Sequence, residues 1–174
     1  MNIFFSIVVP TFNQSSLLKK CLQSIANQTY KNWELIFWDN CSTDSSAMIF
    51  KGYKDTRLKY YVAKEHTNLG KARSLALEQA RGDFIAVLDC DDLWVPTKLE
   101  KQLPHFQDHE VGIVISDILY FNVSGKYRKL YAGKLPPTGW VFEKLLTSYF
   151  ISLGTVILSV VGRFTLNGTT TSLL

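Results

Sequence analysis

Positions 84–92 read Phe-Ile-Ala-Val-Leu-Asp-Cys-Asp-Asp, an apolar run that ends in three carboxylates. Continuous apolar runs are typical of strands buried on both faces of a parallel sheet, and ligands of open α/β sheets bind beyond the carboxyl ends of such strands. Neighbouring carboxylates stay ionised when water, a basic side chain or a metal ion neutralises them, and oxygen ligands favour Mg²⁺ or Mn²⁺. The stretch therefore predicts a buried strand leading into a cation site. The alternative is that Asp91 or Asp92 merely caps a helix announced by Pro96.

Three more β-branched or aromatic runs precede this strand, and a helical pattern follows each of them. The predicted strands lie at 7–9, 33–38 and 58–62. An amphipathic helix follows the first, a short helix follows the second, and a helix that opens after Asn68-Leu69-Gly70 follows the third. Strands that alternate with helices in this way are joined by right-handed crossovers. The predicted fold class is α/β, with a mostly parallel central sheet and helices on both faces.

The second half of the chain predicts shorter elements. They are a helix over 99–106, a strand at 111–116, a hairpin with strands 118–121 and 127–131 around Ser124-Gly125, a short helix over 140–146, and a core strand within 149–161.

Composition excludes several classes of protein. A chain of 174 residues is long enough for one domain with a core. The net charge of +4 is mild and looks evenly spread, so no nucleic-acid partner is implied. Cys21, Cys41 and Cys90 show neither a disulfide framework nor zinc-ligand spacing, which favours a reduced, cytoplasmic setting. The N-terminus lacks the pattern of a signal peptide, and the apolar stretch 149–161 is short for a membrane span.

Polar residues follow the predicted strands on what a parallel sheet makes a single edge. Thr11 and Asp39 can hydrogen-bond a base or ribose, basic side chains near the third helix can pair with phosphate oxygens, and a cation held by Asp91 can bridge a diphosphate. Taken singly, each residue could equally be a turn former, a cap or a solvated charge. Together they predict a nucleotide-diphosphate site built from Pro10, Thr11, Asp39, Lys71, Arg73, Asp89 and Asp91.

Four segments, 6–13, 38–44, 68–73 and 88–92, resemble the successive motifs of the family 2 glycosyltransferases. The resemblance implies a Rossmann-like GT-A fold, a nucleotide-diphospho-sugar donor that is often a UDP-sugar, a Mn²⁺ or Mg²⁺ ion, and inversion at the anomeric carbon. Carried across, Thr11 and Asp39 would contact the nucleoside and Arg73 the base or phosphate side. Asp89 would contact the ribose or a metal-bound water, and Asp91 the metal.

The family also uses a carboxylate as general base, placed well after the metal motif. The corresponding region here, 160–174, contains no acidic residue, and none follows Glu143. The chain is therefore expected to be shortened or altered at this end relative to the family. Asp117 is a weak candidate for the base, and Glu143 is expected to lie on a solvated helix face.

The predicted organisation is a single glycosyltransferase-like domain. Residues 1–95 would form the nucleotide-sugar-binding half, 96–158 a partial acceptor half and 159–174 an atypical tail. The expected partners are the donor and a saccharide or lipid-linked acceptor, in the cytoplasm or at the inner face of the cell membrane, with the oligomeric state left open. Three alternatives remain. One is a non-catalytic nucleotide-sugar-binding fragment, and another is a phosphatase of the haloacid dehalogenase kind, whose Asp-x-Asp motif usually ends the first strand instead of the fourth. The third is an α/β domain with only a structural role, which the acidic cluster and its basic partners disfavour.

Overall fold

The structure, a computed structural model, describes residues 3–122, 124–125, 127–160, 164–166 and 169–171. The strands are β1 (Phe5–Thr11), β2 (Trp33–Asp39), β3 (Leu58–Val62), β4 (Phe84–Val87), β5 (Ile113–Val114), β6 (Leu119–Phe121), β7 (Tyr127–Lys129), β8 (Ile157–Ser159), β9 (Phe164–Leu166) and β10 (Thr169–Thr171). The α-helices are α1 (Ser15–Ala26), α2 (Ser46–Lys51), α3 (Leu69–Leu77), α4 (Lys98–Gln102) and α5 (Phe142–Thr147). No helix in these ranges is long and apolar enough to cross a membrane.

Six strands form the central sheet in the order β3-β2-β1-β4-β8-β5. The four strands β1 to β4 are parallel, as predicted, and β8 runs antiparallel to both β4 and β5. The sheet is therefore mostly parallel, with an antiparallel edge contributed by the second half of the chain. Its β1 and β2 strands are buried along all seven residues, which explains their mostly apolar sequences. Two buried polar residues, Ser6 and Glu34, satisfy each other through a hydrogen bond of 2.7 Å.

Side chains of the central strands alternate between two cores. Ile7, Leu35 and Phe37 pack on the face covered by α1, α2 and α4, and Val8 and Ile36 pack on the face covered by α3. Helices on both faces are thus confirmed, and they hold the strand ends rigidly along one edge.

Gly82 fixes the entry into β4. A Cβ at this position would lie 2.5 Å from the Ser6 nitrogen, so only glycine allows the backbone to pass this close to β1. The Gly82 N–H donates to the Ser6 hydroxyl at 2.8 Å, which sets the register of β4 against β1.

The second half of the chain corrects three predicted boundaries. The helix predicted over 99–106 ends at Gln102 and continues as a 3₁₀ helix over Leu103–Gln107, because Pro104 lacks the N–H that an α-helix would require. The strand predicted at 111–116 is formed only by Ile113–Val114.

The core strand predicted within 149–161 is formed only by β8. The residues just before β8 form a 3₁₀ turn at Leu153–Thr155. Trp94 Nε1 donates to the Gly154 carbonyl and Lys98 Nζ donates to the Thr155 carbonyl, and these two hydrogen bonds fix the turn. The apolar stretch predicts burial correctly but overestimates the length of the strand.

The hairpin of β6 and β7 and the short helix α5 are confirmed. In the tail, β9 and β10 pair antiparallel. The remainder of 161–174, where the resemblance places the general base, lies outside the described residues.

Candidate active site

A cavity of about 400 Å³ opens at the carboxyl edge of the parallel strands. Its walls come from the ends of β1, β2 and β4 and from the loop that leads into α3. The lining residues are Pro10, Thr11, Phe12, Gln14, Asn40, His66, Thr67, Asn68, Leu69, Ala72, Asp89, Cys90 and Asp91. The structure therefore brings the segments after three strands into one crevice, as the sequence predicts.

Pro10 and Thr11 form one wall of the cavity because β1 ends there. The Thr11 hydroxyl lies 2.8 Å from the Cys90 thiol, and the Thr11 carbonyl accepts from the Asn40 N–H at 2.8 Å. A hydrogen bond with Cys90, together with burial, raises the pKa of the neighbouring Cys21 thiol, so Cys21 stays protonated in the core.

Asp39 sits opposite Thr11 in the strand register but is almost fully buried. Its Oδ1 atom accepts from the Ser42 N–H at 2.7 Å, and its Oδ2 atom accepts from the Tyr60 hydroxyl at 2.6 Å. Burial and this carboxylate raise the pKa of Tyr60. Asp39 is not among the described residues that line the cavity, so in this conformation its carboxylate organises the loop after β2 from beneath.

Asn40 and the segment at His66 and Thr67 form a clamp that the sequence reasoning missed. The Asn40 Nδ2 atom donates to the Thr67 carbonyl at 2.7 Å, and Asn40 Oδ1 accepts from the Thr67 N–H at 3.1 Å. His66 Nδ1 lies 2.9 Å from the Asn40 carbonyl oxygen and 3.3 Å from Asn40 Nδ2, so both the main chain and the side chain of Asn40 contact the imidazole. The sequence contains one signal for this clamp: Asn40 lies within the motif at 38–44, and His66 and Thr67 directly precede the motif at 68–73.

Phe12 and His66 form an aromatic wall of the cavity. Their ring centroids lie 4.1 Å apart, and both side chains are exposed. Phe12 belongs to a quoted motif but had no assigned role, because sequence spacing did not show its proximity to His66.

Asn68 begins α3 by accepting the Lys71 N–H at 2.9 Å, which makes it the N-cap. Lys71 is exposed on the first turn of α3. Arg73 instead pairs with Asp89, its Nη2 atom lying 2.8 and 2.6 Å from the two carboxylate oxygens. Neither basic side chain is among the described residues that line the cavity, although both lie on the helix that forms its wall.

The three carboxylates after β4 have different surroundings. Asp89 is neutralised by Arg73, whereas Asp91 is exposed at the cavity and makes no hydrogen bond or ion pair within the described ranges. Burial, and then the charges of Asp91 and Asp89, raise the pKa of Asp92. Capping of α4 by this motif is not observed, since the N-cap is Thr97 and makes no side-chain bond there.

The acidic motif suits a cation that is shared with a substrate. No three His, Cys, Asp or Glu side chains converge as a metal cage anywhere in the described ranges. Mg²⁺ and Mn²⁺ often bind through one or two carboxylates together with substrate phosphates, so a full protein cage is not required. The unpaired Asp91 carboxylate has the donor chemistry for such a site.

The two late carboxylates lie elsewhere. Asp117 is exposed, and its Oδ1 atom accepts the N–H groups of Ile118 and Tyr131 at 2.9 and 3.1 Å, which closes the base of the β6-β7 hairpin. Glu143 is exposed on α5, as expected. Neither is among the described residues that line the cavity.

Comparisons with known proteins agree with this geometry. The family model described as Glycosyl transferase family 2 matches residues 6–164. The Escherichia coli protein UDP-Glc:alpha-D-GlcNAc-diphosphoundecaprenol beta-1,3-glucosyltransferase WfgD is 31% identical over 153 residues, covering 88% of this chain and 59% of WfgD.

Solved structures show the same fold. The crystal structure of S. aureus TarS 1-349 in complex with UDP-GlcNAc matches with a TM-score of 0.75 and 25% identity, over 90% of this chain and 45% of that one. The mannosyltransferase PcManGT from Pyrobaculum calidifontis, in complex with GDP-Man and Mn²⁺, matches with a TM-score of 0.61 and 26% identity, over 65% of this chain and 35% of that one. The chain thus spans about half the length of these relatives. It has a Rossmann-like GT-A fold and belongs to glycosyl transferase family 2.

Proposed function

We propose that this chain binds a nucleotide-diphospho-sugar, with a UDP-sugar as the leading candidate, and that the protein transfers the sugar to an acceptor hydroxyl. The observation that carries the proposal is the cavity at the carboxyl edge of β1, β2 and β4, with the unpaired Asp91 at its rim. Support comes from TarS 1-349, whose complexes with UDP and UDP-GlcNAc share the fold over 90% of this chain.

Within this proposal, Pro10 and Thr11 shape the nucleoside side of the cavity. Asp39 acts on the nucleoside either through the loop that it holds or after a change of its bonds to Ser42 and Tyr60. Asp89 is the candidate for the ribose, and its pairing with Arg73 orients both groups at the cavity wall.

Asp91, assisted by Asp89, is the proposed ligand of Mn²⁺ or Mg²⁺. A divalent cation would supply charge stabilisation for the departing nucleoside diphosphate. Lys71 on α3 adds positive charge on the same side, whereas the charge of Arg73 is balanced by Asp89. Preorganised charge is often the largest contribution to lowering a barrier of this kind. The Mn²⁺-containing complex of PcManGT supports the assignment.

Transfer with inversion also requires a group that accepts the proton of the attacking hydroxyl. In the proposed scheme we assign this role to no carboxylate, because the weak candidate Asp117 instead accepts two N–H groups at the base of the hairpin. Donor binding without efficient transfer is therefore the expected behaviour of the chain by itself. The acceptor is proposed to be a saccharide or a lipid-linked glycan, the latter supported by the diphosphoundecaprenol acceptor in the name of WfgD.

Calorimetry of UDP binding tests the donor site. We expect binding with Mn²⁺ to be at least about tenfold tighter than binding in excess chelator, since a cation held by Asp91 would neutralise charge on the diphosphate. Asp91→Asn should remove most of this difference without lowering the melting temperature, because Asp91 is exposed and unpaired.

Glu110→Gln is the matched control, since it neutralises an exposed acidic residue away from the cavity. UDP affinity that is the same with Mn²⁺ and with chelator would refute the role of Asp91. Absence of UDP binding under both conditions would refute the proposed donor.

A further inference from the structure

The region from β6 to Tyr149 exposes an unusual amount of apolar surface. Six large side chains there are more than 65% exposed: Phe121, Tyr127, Leu135, Trp140, Leu146 and Tyr149. We call these six residues, together with the basic residues between them, the aromatic-basic face. Six such residues between positions 121 and 149 are a concentration of exposed apolar side chains, and clusters of this kind mark interaction sites when they form a patch.

The secondary structure elements that carry this face bury none of their own side chains. Every side chain of β6 and β7 is exposed, and none of the six residues of α5 is buried. A two-stranded hairpin with both faces in water is at best marginally stable. These elements therefore fit a surface that gains its apolar contacts from another phase or another molecule.

Positive charge is concentrated in the same region. Residues 118–149 contain five Lys or Arg and one Glu, a net charge of +4 that equals the charge of the whole chain. The remaining sequence is neutral, so the sequence prediction of an evenly spread charge is wrong for this segment. Lys129 lies opposite Leu119 in the hairpin, and the guanidinium of Arg128 lies 5.1 Å from the centre of the Tyr120 ring, so cations and apolar groups are interleaved.

The chain that carries the face is tied to the neighbourhood of the acidic motif. The Tyr131 hydroxyl donates to the Phe150 carbonyl at 2.9 Å, which connects the hairpin to the chain after α5. Four residues later, a Cβ on Gly154 would lie 3.0 Å from the carboxylate of Asp92. Four residues span at most about 14 Å, so Phe150 lies within that distance of the turn beside the acidic motif.

We propose that the aromatic-basic face docks onto an anionic lipid bilayer. Tyr and Trp prefer the boundary between headgroups and acyl chains, and Lys and Arg are attracted to anionic headgroups while their stems lie on apolar surface. A second copy of the chain fits less well, because two faces of charge +4 repel each other and Lys is depleted in protein interfaces. The docking proposal goes beyond the proposed function. It relies on that function only to explain why a membrane contact near the acidic motif would be useful.

Sedimentation of the 174-residue chain with vesicles tests the proposal. We expect binding to vesicles of phosphatidylcholine and phosphatidylglycerol that weakens with salt, and little binding to phosphatidylcholine alone. The double variant Arg128→Gln/Lys129→Gln should bind on the order of tenfold more weakly, since each basic residue near the surface contributes to attraction. Trp140→Ser/Leu146→Ser should weaken binding by a similar factor through loss of apolar insertion.

Two control variants match these changes on other surfaces. Lys19→Gln/Lys20→Gln removes two exposed charges from α1, and Met48→Ser removes a side chain that is 71% exposed on α2. Equal losses in control and face variants, or equal binding to neutral and anionic vesicles, would overturn the proposal. So would a dimer in light scattering that the face variants abolish, because a second copy would then cover the face.

UDP calorimetry on the same variants separates the two proposals. Loss of vesicle binding with UDP affinity intact supports the docking face. Vesicle binding without any UDP affinity would refute the donor proposal and leave the docking face standing.

Discussion

The two halves of the chain are built very differently. The first half has parallel strands of four to seven residues, and β1 and β2 are completely buried between helices. The second half contributes β5 and β8, with two and three residues, and the exposed hairpin of β6 and β7. A deeply packed sheet holds the edge at which the cavity opens, whereas the second half adds fewer residues to the core, among them Ile157 and Phe106. Packing is thus concentrated beneath the cavity, and the later elements lie mostly at the surface.

Paired truncations of aromatic residues should expose this contrast most strongly. Phe37→Ala removes a fully buried ring from the core and is expected to cost about 3–5 kcal/mol in the free energy of unfolding. Phe121→Ala, at a 66% exposed position in β6, should change it by less than about 0.5 kcal/mol. Urea denaturation measures both. Similar losses at the two sites would show that the second half is packed as tightly as the first.

Lys98 joins the two halves and should give the chain a dependence on pH. Burial lowers the pKa of Lys98 to about 7, while its amine donates to Gln102 Oε1 and to the Thr155 carbonyl and lies over the Trp94 ring. The unfolded chain binds this proton up to its ordinary pKa of 10.5, so above pH 7 unfolding takes up a proton. Stability should therefore rise with pH between about 7 and 10.5, by at most about 1.4 kcal/mol per pH unit.

Urea unfolding at pH 7.5 and 9.5, compared with the same measurement on Lys98→Met, isolates this contribution. The variant keeps the volume of the stem and should lose the slope that Lys98 causes. A pH dependence that is the same in both proteins would mean that the Lys98 amine is already free of the burial penalty.

Asp117 should contribute little to stability. Asp117→Ala removes two bonds to backbone N–H groups at an exposed hairpin base, so the free energy of unfolding should fall by less than about 1 kcal/mol, and UDP affinity should not change. Acceptor-dependent release of UDP is the informative readout. Turnover near one per second in the parent chain that is lost in the variant would make Asp117 the missed base, since ordinary enzymes turn over at roughly 1–10³ s⁻¹.

Sequence periodicity was sufficient for the parts of the fold in which one interaction dominates. Hydrophobic runs predicted the four parallel strands, and chain order along a sheet edge predicted that Thr11, Asp89 and Asp91 would meet at one cavity. Periodicity overestimated the strand at 111–116, because a half-buried segment pairs only as far as its short neighbour β8 extends.

Polar contacts between distant loops were beyond the reach of the sequence. The clamp of Asn40 on His66 and Thr67 spans about 26 positions and follows no periodic pattern. The burial of Asp39 likewise depends on the hydrogen bond from the Tyr60 hydroxyl, which forms only because β2 and β3 pair in this register. Residues of this kind are polar, and their sequence signature is shared with ordinary surface loops.

The close approach of Gly154 to Asp92 ties the choice of residue at position 154 to the acidic motif. A methyl group at this position would lie 3.0 Å from Asp92 Oδ2, so the carboxylate would have to shift by a few tenths of an ångström. A larger residue would therefore act on the acidic motif through the Asp92 side chain, next to the proposed cation ligand Asp91.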